Sequence, residues 1–344
     1  MCRFSFIGHN KVQVSTVVAL LLLVLQNAAS IISRTTEDAR FDPLTGILLS
    51  ELLKLIISLV CVTQTADADP REQKSIIGTL KTGHEEATLP ALLYTAASFA
   101  QSIGASHLAL LPYLALSQTK IILTPLLATL LLNQKFTPQH WTSTLTMTAG
   151  IILAQTGASQ QNQHLTTAST HPLPGVLAML LSGTSVALSG ISIERSLKRA
   201  TTNTPTAAHT FFIRNAQLAA HSLLFALLSF LWKWTSKCRT ETDGPSFFDG
   251  FSSLVWVFVV LQAAGGFLVA WCVRVTSSVT KNYAQGLGFA IAVVGPLVVE
   301  RRDVDVKLSV GVVLVLGAVV GSAFAGQSTR VTSLMEKREV KGVV

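Results

Sequence analysis

Lys120 stands alone as a charge in a long apolar run. No Asp, Glu, Lys or Arg occurs between Glu86 and Lys120, or between Lys120 and Lys135. The surrounding residues 113–133 read YLALSQTKIILTPLLATLLLN, which meets the length of about 20 apolar residues that an α-helix needs to cross a bilayer. Rising about 1.5 Å per residue, such a span puts Lys120 roughly 10 Å inside one end. An ammonium at that depth costs at least ~2.5 kcal/mol on insertion scales, and such charges face a bundle interior or a wet cavity. A site for an anionic solute is the functional reading of this lysine. A snorkelling or ion-paired structural charge is the alternative.

Other polar residues could share that chemistry. Tyr113 and Ser117 are four apart and Ser117 is three before Lys120, so all three can lie on one helix stripe. With the amide of Gln118 beside them, a phenol, a hydroxyl and an ammonium suit a ligand built from a base, a sugar and a phosphate. Arg214 follows FFI, with Asn215 next and Gln217 close by. A guanidinium with amide neighbours can take a phosphate or a base edge, or simply anchor a span at the interface. Lys281 and Tyr283 close the polar run VTSSVTKNY. Gln262 precedes Gly265 and Gly266 in LQAAGGFLVA, a polar group beside bare backbone. Two further charged pairs read as gating or structural. Glu51 and Lys54, three apart in SELLK, can neutralise each other on one face. Glu194 and Arg195 close another apolar run, as interfacial gates or ordinary end charges.

The elements that must hold these residues are membrane spans. The chain is 49% hydrophobic, only 13% charged and has a mean hydropathy of +0.51, against about 25% charged residues in soluble domains. The pattern predicts ten transmembrane helices, near 13–33, 44–65, 90–111, 113–133, 139–157, 174–194, 207–232, 252–274, 282–299 and 306–326. The runs are continuously apolar, without the period-2 alternation of barrel strands, so the expected fold class is all-α and polytopic. Residues 13–33 read as a retained first span: no small-residue cleavage site follows them. An even number of spans puts both termini on one side. That side carries 15 Lys and Arg against 8 opposite, with Lys54, Lys120 and Arg214 inside spans. The positive-inside bias therefore makes both termini cytosolic.

The uncharged segment 158–173 divides the chain into residues 1–157, with a short cytosolic N-terminal tail, and residues 174–326, followed by a basic tail at 327–344. The expectation is a five-helix repeat on each side of a polar lumenal loop. An odd number of spans per half inverts the second relative to the first, which is a recurrent transporter plan with a midplane site. Lys281 occupies the place in the second half that Lys120 occupies in the first. Two lysines converging from inverted halves would match a diphosphate. The four cysteines form no paired motif; Cys61 and Cys272 read as packing residues. No metalloprotease, nucleophile-elbow or nucleotide-hydrolysing loop signature is present. No enzyme activity, metal or cofactor is expected, and transport would be secondary. The basic excess reads as cytosolic loops rather than as nucleic-acid binding.

Five ordered blocks carry a family resemblance: LLSELLKLI at 48–56, YLALSQTKIILTPLLATLLLNQKFTPQHW at 113–141, SGISIERSLK at 189–198, FFIRNAQL at 211–218 and LQAAGGFLVAWCVR at 261–274. Over about residues 15–325 the chain resembles the nucleotide-sugar transporters of the drug/metabolite transporter superfamily, in the group for UDP-galactose, UDP-N-acetylglucosamine and CMP-sialic acid. The resemblance implies ten helices in two inverted five-helix repeats. It also implies exchange of a cytosolic nucleotide sugar, a UDP-sugar, for a lumenal nucleoside monophosphate in the Golgi membrane, or in the endoplasmic reticulum. It places Lys120 and Lys281 against the phosphates, matches Tyr113, Arg214 and Asn215 to site residues, and matches Glu194 and Arg195 to a Glu-Lys pair. Departures fall at Ser98 and Phe99, Leu261, and Ser277 and Ser278, where the family has asparagine or aspartate; these bear on sugar and base recognition. Besides substrate and membrane lipid, a homo-dimer or an association with glycosyltransferases are the partner expectations. Carriage of another phosphorylated solute, or a non-transporting regulatory role, are the alternative functions.

Overall fold

The computed structural model describes residues 16–29, 43–66, 84–161, 172–200, 207–237, 247–248, 250–300 and 305–323. Among them the regular structure is helical. In chain order the helices are α1 (Thr16–Ala29), α2 (Pro43–Ala66), α3 (Glu85–His107), α4 (Leu110–Ser117), α5 (Thr119–Leu132), α6 (Pro138–Gln161), α7 (Leu173–Ala200), α8 (Ala207–Lys237), α9 (Ser253–Val275), α10 (Ser278–Glu300) and α11 (Val306–Ala323). Each of the ten expected segments meets helix, with α4 and α5 together forming the fourth. Among the described residues six segments are both long and apolar enough to cross a bilayer: Thr45–Gln64, Pro112–Leu132, Leu173–Lys198, His209–Leu231, Ser253–Val275 and Val306–Ala323. The expected terminal tails, at residues 1–12 and 327–344, lie outside the described residues, as does most of the polar loop at 158–173.

The outward faces suit lipid. Leu130 and Val313 are each 66% exposed, and many other large apolar side chains of the spans also face outward, an extent of apolar surface that marks a membrane-facing protein. In lipid no hydrophobic force draws helices together, so close packing and small residues must. The crossing of α6 and α11 shows this: a Cβ on Gly150 would stand 2.8 Å from the carbonyl oxygen of Gly311. Only bare backbone fits there.

Helix α7 is central. It packs against α3, α4, α5, α8, α9 and α10, while α10 also meets α5, α6 and α9. One core cluster lies where α5, α6, α7, α10 and α11 meet, and includes Ile121, Met147, Ile191, Tyr283 and Val315. At the end of α5, Asn133 adopts a left-handed conformation (φ 51°) and its N–H donates to the Ala128 carbonyl. This asparagine cap turns the chain and delivers Gln134 to α7.

Candidate substrate site

Lys120 sits just after a break. Helix α4 ends at Ser117, a turn passes through Gln118, and α5 restarts at Thr119. Side chains take the carbonyls around it: Ser117 Oγ donates to the Leu114 carbonyl (2.7 Å) and Thr119 Oγ1 to that of Leu116 (2.6 Å). Such local bonds compete with the helix ladder. Gln118 is buried, its Nε2 donating to Ser117 Oγ (2.9 Å) and to Gln155 Oε1 on α6 (3.4 Å). The single stripe expected for Tyr113, Ser117 and Lys120 is therefore split between two helical segments. Tyr113 packs beside Gly104 of α3.

Lys281 lies in the first turn of α10 and is buried. Ser277 opens that helix, its Oγ accepting from the Thr280 N–H at 3.2 Å. The Ser278 N–H donates to Glu194 Oε2 (2.8 Å) and Ser278 Oγ donates to the Gly190 carbonyl (2.9 Å), which ties the helix start to α7. Glu194 is fully buried. Its Oε1 accepts from Gln134 Nε2 (3.0 Å) and Lys198 Nζ (2.5 Å). Its neighbour Arg195 is exposed.

Two glycines of α7 receive the two lysine helices. A Cβ on Gly183 would stand 3.3 Å from the Lys120 backbone nitrogen, and one on Gly190 would stand 3.9 Å from Lys281 Nζ. Seven residues is about two helical turns, so both glycines share one face. Beside them Asn282 Nδ2 donates to Thr124 Oγ1 (3.1 Å), and Thr124 Oγ1 donates to the Lys120 carbonyl (2.6 Å). The Tyr283 hydroxyl and Thr144 Oγ1 of α6 share a hydrogen bond of 2.9 Å.

The two ammonium groups lie within electrostatic range of each other. Among the described residues neither has a hydrogen-bond or ion-pair partner. Glu194 acts on Lys281 through space, but both its oxygens are already engaged. Two like charges are thus held close together in the interior with no acidic group in contact with either, a costly arrangement that an anion would relieve.

The other expected residues lie apart from this pair. Glu51 and Lys54 form the anticipated ion pair, at 2.5 Å between Nζ and Oε1. Glu51 Oε2 is buried and has no partner among the described residues. The Lys54 stem crosses Gly266 of α9, and Gln26 of α1 packs on Gly265 while donating to the Leu261 carbonyl (2.7 Å). The backbone at Gly265 and Gly266 is thus approached by Gln26 and Lys54, while Gln262 is exposed. Tyr94 of α3 feels the charges of both Lys54 and Glu51, and nearby Ser189 Oγ of α7 donates to the Pro90 carbonyl of α3 (2.9 Å). Arg214 reaches Glu86 Oε2 (3.1 Å) and Gln217 Oε1 (3.2 Å). With Asn215, Ser196 and Pro90 it lines a pocket between α3, α7 and α8.

Thr124, Asn282, Gln134, Tyr94 and Ser189 were not singled out from the sequence. Thr124 is four after Lys120 and Asn282 adjoins Lys281, so proximity to a buried charge was the available signal.

A family profile described as nucleotide-sugar transporter matches residues 11–322. The chain belongs to the nucleotide-sugar transporter family. This nucleotide-sugar transporter is 28% identical over 312 residues to a UDP-galactose transporter of Schizosaccharomyces pombe, covering 88% of this chain and 85% of that one. It is 28% identical over 317 residues to the Homo sapiens UDP-galactose translocator (88% and 75%). It is 24% identical over 291 residues to the Homo sapiens UDP-N-acetylglucosamine transporter (80% and 84%). A solved structure, described only as a crystal structure of protein, superposes with a TM-score of 0.61 at 14% identity, over 93% of this chain and 99% of that chain. That likeness speaks for the fold alone. The protein is a multi-pass membrane transporter and not an enzyme.

Proposed function

We propose that this transporter exchanges a cytosolic UDP-sugar, UDP-galactose or UDP-N-acetylglucosamine, for a lumenal nucleoside monophosphate across the Golgi membrane. The observation that carries this reading is the pair Lys120 and Lys281: two interior ammonium groups, one from each half of the chain, near each other and without acidic partners in contact. The relatives' names supply the UDP-sugar. Its diphosphate lies between the lysines. Tyr113 and Gln118, from the same span as Lys120, serve the base and sugar. Arg214 and Asn215 meet the ligand at the α3–α8 pocket.

Ten spans form two inverted five-helix repeats, residues 1–157 and 174–326, which rock about the site and open it to each side in turn. The substrate is too polar to cross lipid unaided. The empty carrier, with two uncompensated cations, reorients poorly, so the return step needs a nucleoside monophosphate to screen them. Exchange follows from that requirement.

Purified protein in liposomes preloaded with UMP should take up labelled UDP-galactose or UDP-N-acetylglucosamine, and empty liposomes should not. Each lysine contributes a charge-assisted contact of about 1.5–3 kcal/mol, so Lys120→Gln or Lys281→Gln should weaken UDP-sugar binding roughly tenfold to a hundredfold. Equal uptake without internal UMP would rule out exchange. Unchanged UDP-sugar affinity in both variants would sink the phosphate site.

A further inference from the structure

We infer that Thr124 and Asn282 are positioning residues that set the spacing of the two lysines, and so set the preference for a diphosphate over a monophosphate. The inference rests on the phosphate-site reading above and goes beyond it. Thr124 lies one helical turn after Lys120 on α5, and Asn282 directly follows Lys281 on α10. Their 3.1 Å hydrogen bond ties one lysine helix directly to the other. The Thr124 hydroxyl in turn donates a hydrogen bond to the Lys120 carbonyl at 2.6 Å. An unbroken chain therefore runs from the backbone of Lys120, through Thr124, to the side chain of the residue next to Lys281. Both members are buried, Thr124 at 4% exposure and Asn282 at 8%. No water is needed to complete the link, so its length is set by the two side chains.

Repulsion between the ammonium groups pushes their helices apart. On α7, Gly183 and Gly190 offer flat seats but no bond to either ammonium. The Thr124–Asn282 bond supplies the opposing restraint at the level of the lysines. A diphosphate presents two phosphates that must each meet a cation, so it depends on the lysine spacing. A single phosphate can follow either lysine alone and depends on it less. A neutral nucleoside does not depend on it.

The test is binding of UDP-galactose, UMP and uridine to purified full-length protein, for wild type, Thr124→Val, Thr124→Ser and Asn282→Ala. Thr124→Val keeps the shape and removes the hydroxyl. Asn282→Ala leaves the Thr124 bond to the Lys120 carbonyl intact, so it carries the test if Thr124→Val fails to fold. We expect about a tenfold loss for UDP-galactose, the size of one lost hydrogen bond near a charge. The loss for UMP should be several-fold smaller, uridine should be unchanged, and Thr124→Ser should behave as wild type. Equal losses for all three ligands, wild-type binding by Thr124→Val and Asn282→Ala, or a Thr124→Ser variant as weak as Thr124→Val would each overturn the inference. Lys120→Gln and Lys281→Gln in the same assay separate the two readings. If they lose UDP-galactose while the Thr124 and Asn282 variants keep it, the positioning role alone fails; if they keep it, the phosphate site fails.

Discussion

The fully buried carboxylate of Glu194, on α7, accepts the backbone N–H of Ser278 at 2.8 Å and so caps the helix that carries Lys281. Its other oxygen is held by Gln134, from the connection between α5 and α6, and by Lys198. One side chain thus fastens three separate parts of the chain.

Glu194→Ala should therefore destabilise the protein, since it strands the buried Ser278 N–H at about 1–3 kcal/mol and takes the acceptor from the half-buried Gln134 amide. Glu194→Gln keeps one acceptor for Ser278 and releases Lys198, which is 42% exposed and can turn to solvent. Thermal melting of the purified variants should rank wild type above Gln above Ala. An Ala variant that melts with wild type would show that the cap contributes nothing.

The Glu51–Lys54 pair is mostly shielded, at 14% and 19% side-chain exposure. Breaking a buried pair from one side costs about 3–5 kcal/mol because the other charge is left alone. Glu51→Gln should lower the melting temperature, and adding Lys54→Met should restore much of it. If Glu51→Gln melts normally yet abolishes UDP-sugar exchange, Glu51 belongs to the ligand site instead.

The charged pairs were legible because a charge inside an apolar run must be explained, and i, i+3 spacing on a helix leaves few geometries. Lys120 and the Glu51–Lys54 pair emerged that way, whereas Lys281, at the end of the polar run VTSSVTKNY, was raised by its place in the second half, corresponding to Lys120 in the first. The break at Gln118 did not emerge: LSQTK holds no glycine or proline, and serine and threonine take backbone carbonyls in unbroken helices as well as beside a break. The full burial of Glu194 was equally hidden, since a Glu-Arg dipeptide at the end of an apolar run reads the same whether it meets solvent or a helix terminus. Thr124 and Asn282 escaped notice because their significance comes from which helices cross, and local pattern carries no record of crossings. Gln262 illustrates the reverse: its polarity drew attention, while Gln26, far off in the chain, occupies the backbone at Gly265.

Gly190 offers a graded steric test. A Cβ there would meet Ser278 Oγ at 3.7 Å and Lys281 Nζ at 3.9 Å, ordinary contacts, and alanine is the better helix former by about 1 kcal/mol. Gly190→Ala should melt no lower than wild type and retain UDP-galactose binding. Gly190→Leu should cover the Lys281 ammonium and reduce that binding about tenfold or more, as loss of one charged contact would. Full binding by the leucine variant would place the ligand away from Lys281.

The asymmetry of 15 to 8 basic residues leads to a topology test. Epitope tags at either terminus should be cut by protease in sealed Golgi vesicles of native orientation. Protection of both tags would invert the orientation. Protection of one alone would refute an even number of spans.

The seat of Lys120 against Gly183 has a consequence for biogenesis. Gly183 lies 63 residues downstream, so at about 5–20 residues per second it leaves the ribosome roughly 3–13 s after Lys120. The broken α4–α5 segment, with a hydropathy of 1.5 against 2.1 for the α2 and α9 spans, is thus made well before α7. The nascent chain therefore passes through a stage in which the span carrying Lys120 meets the bilayer before the helix against which its backbone packs has been made.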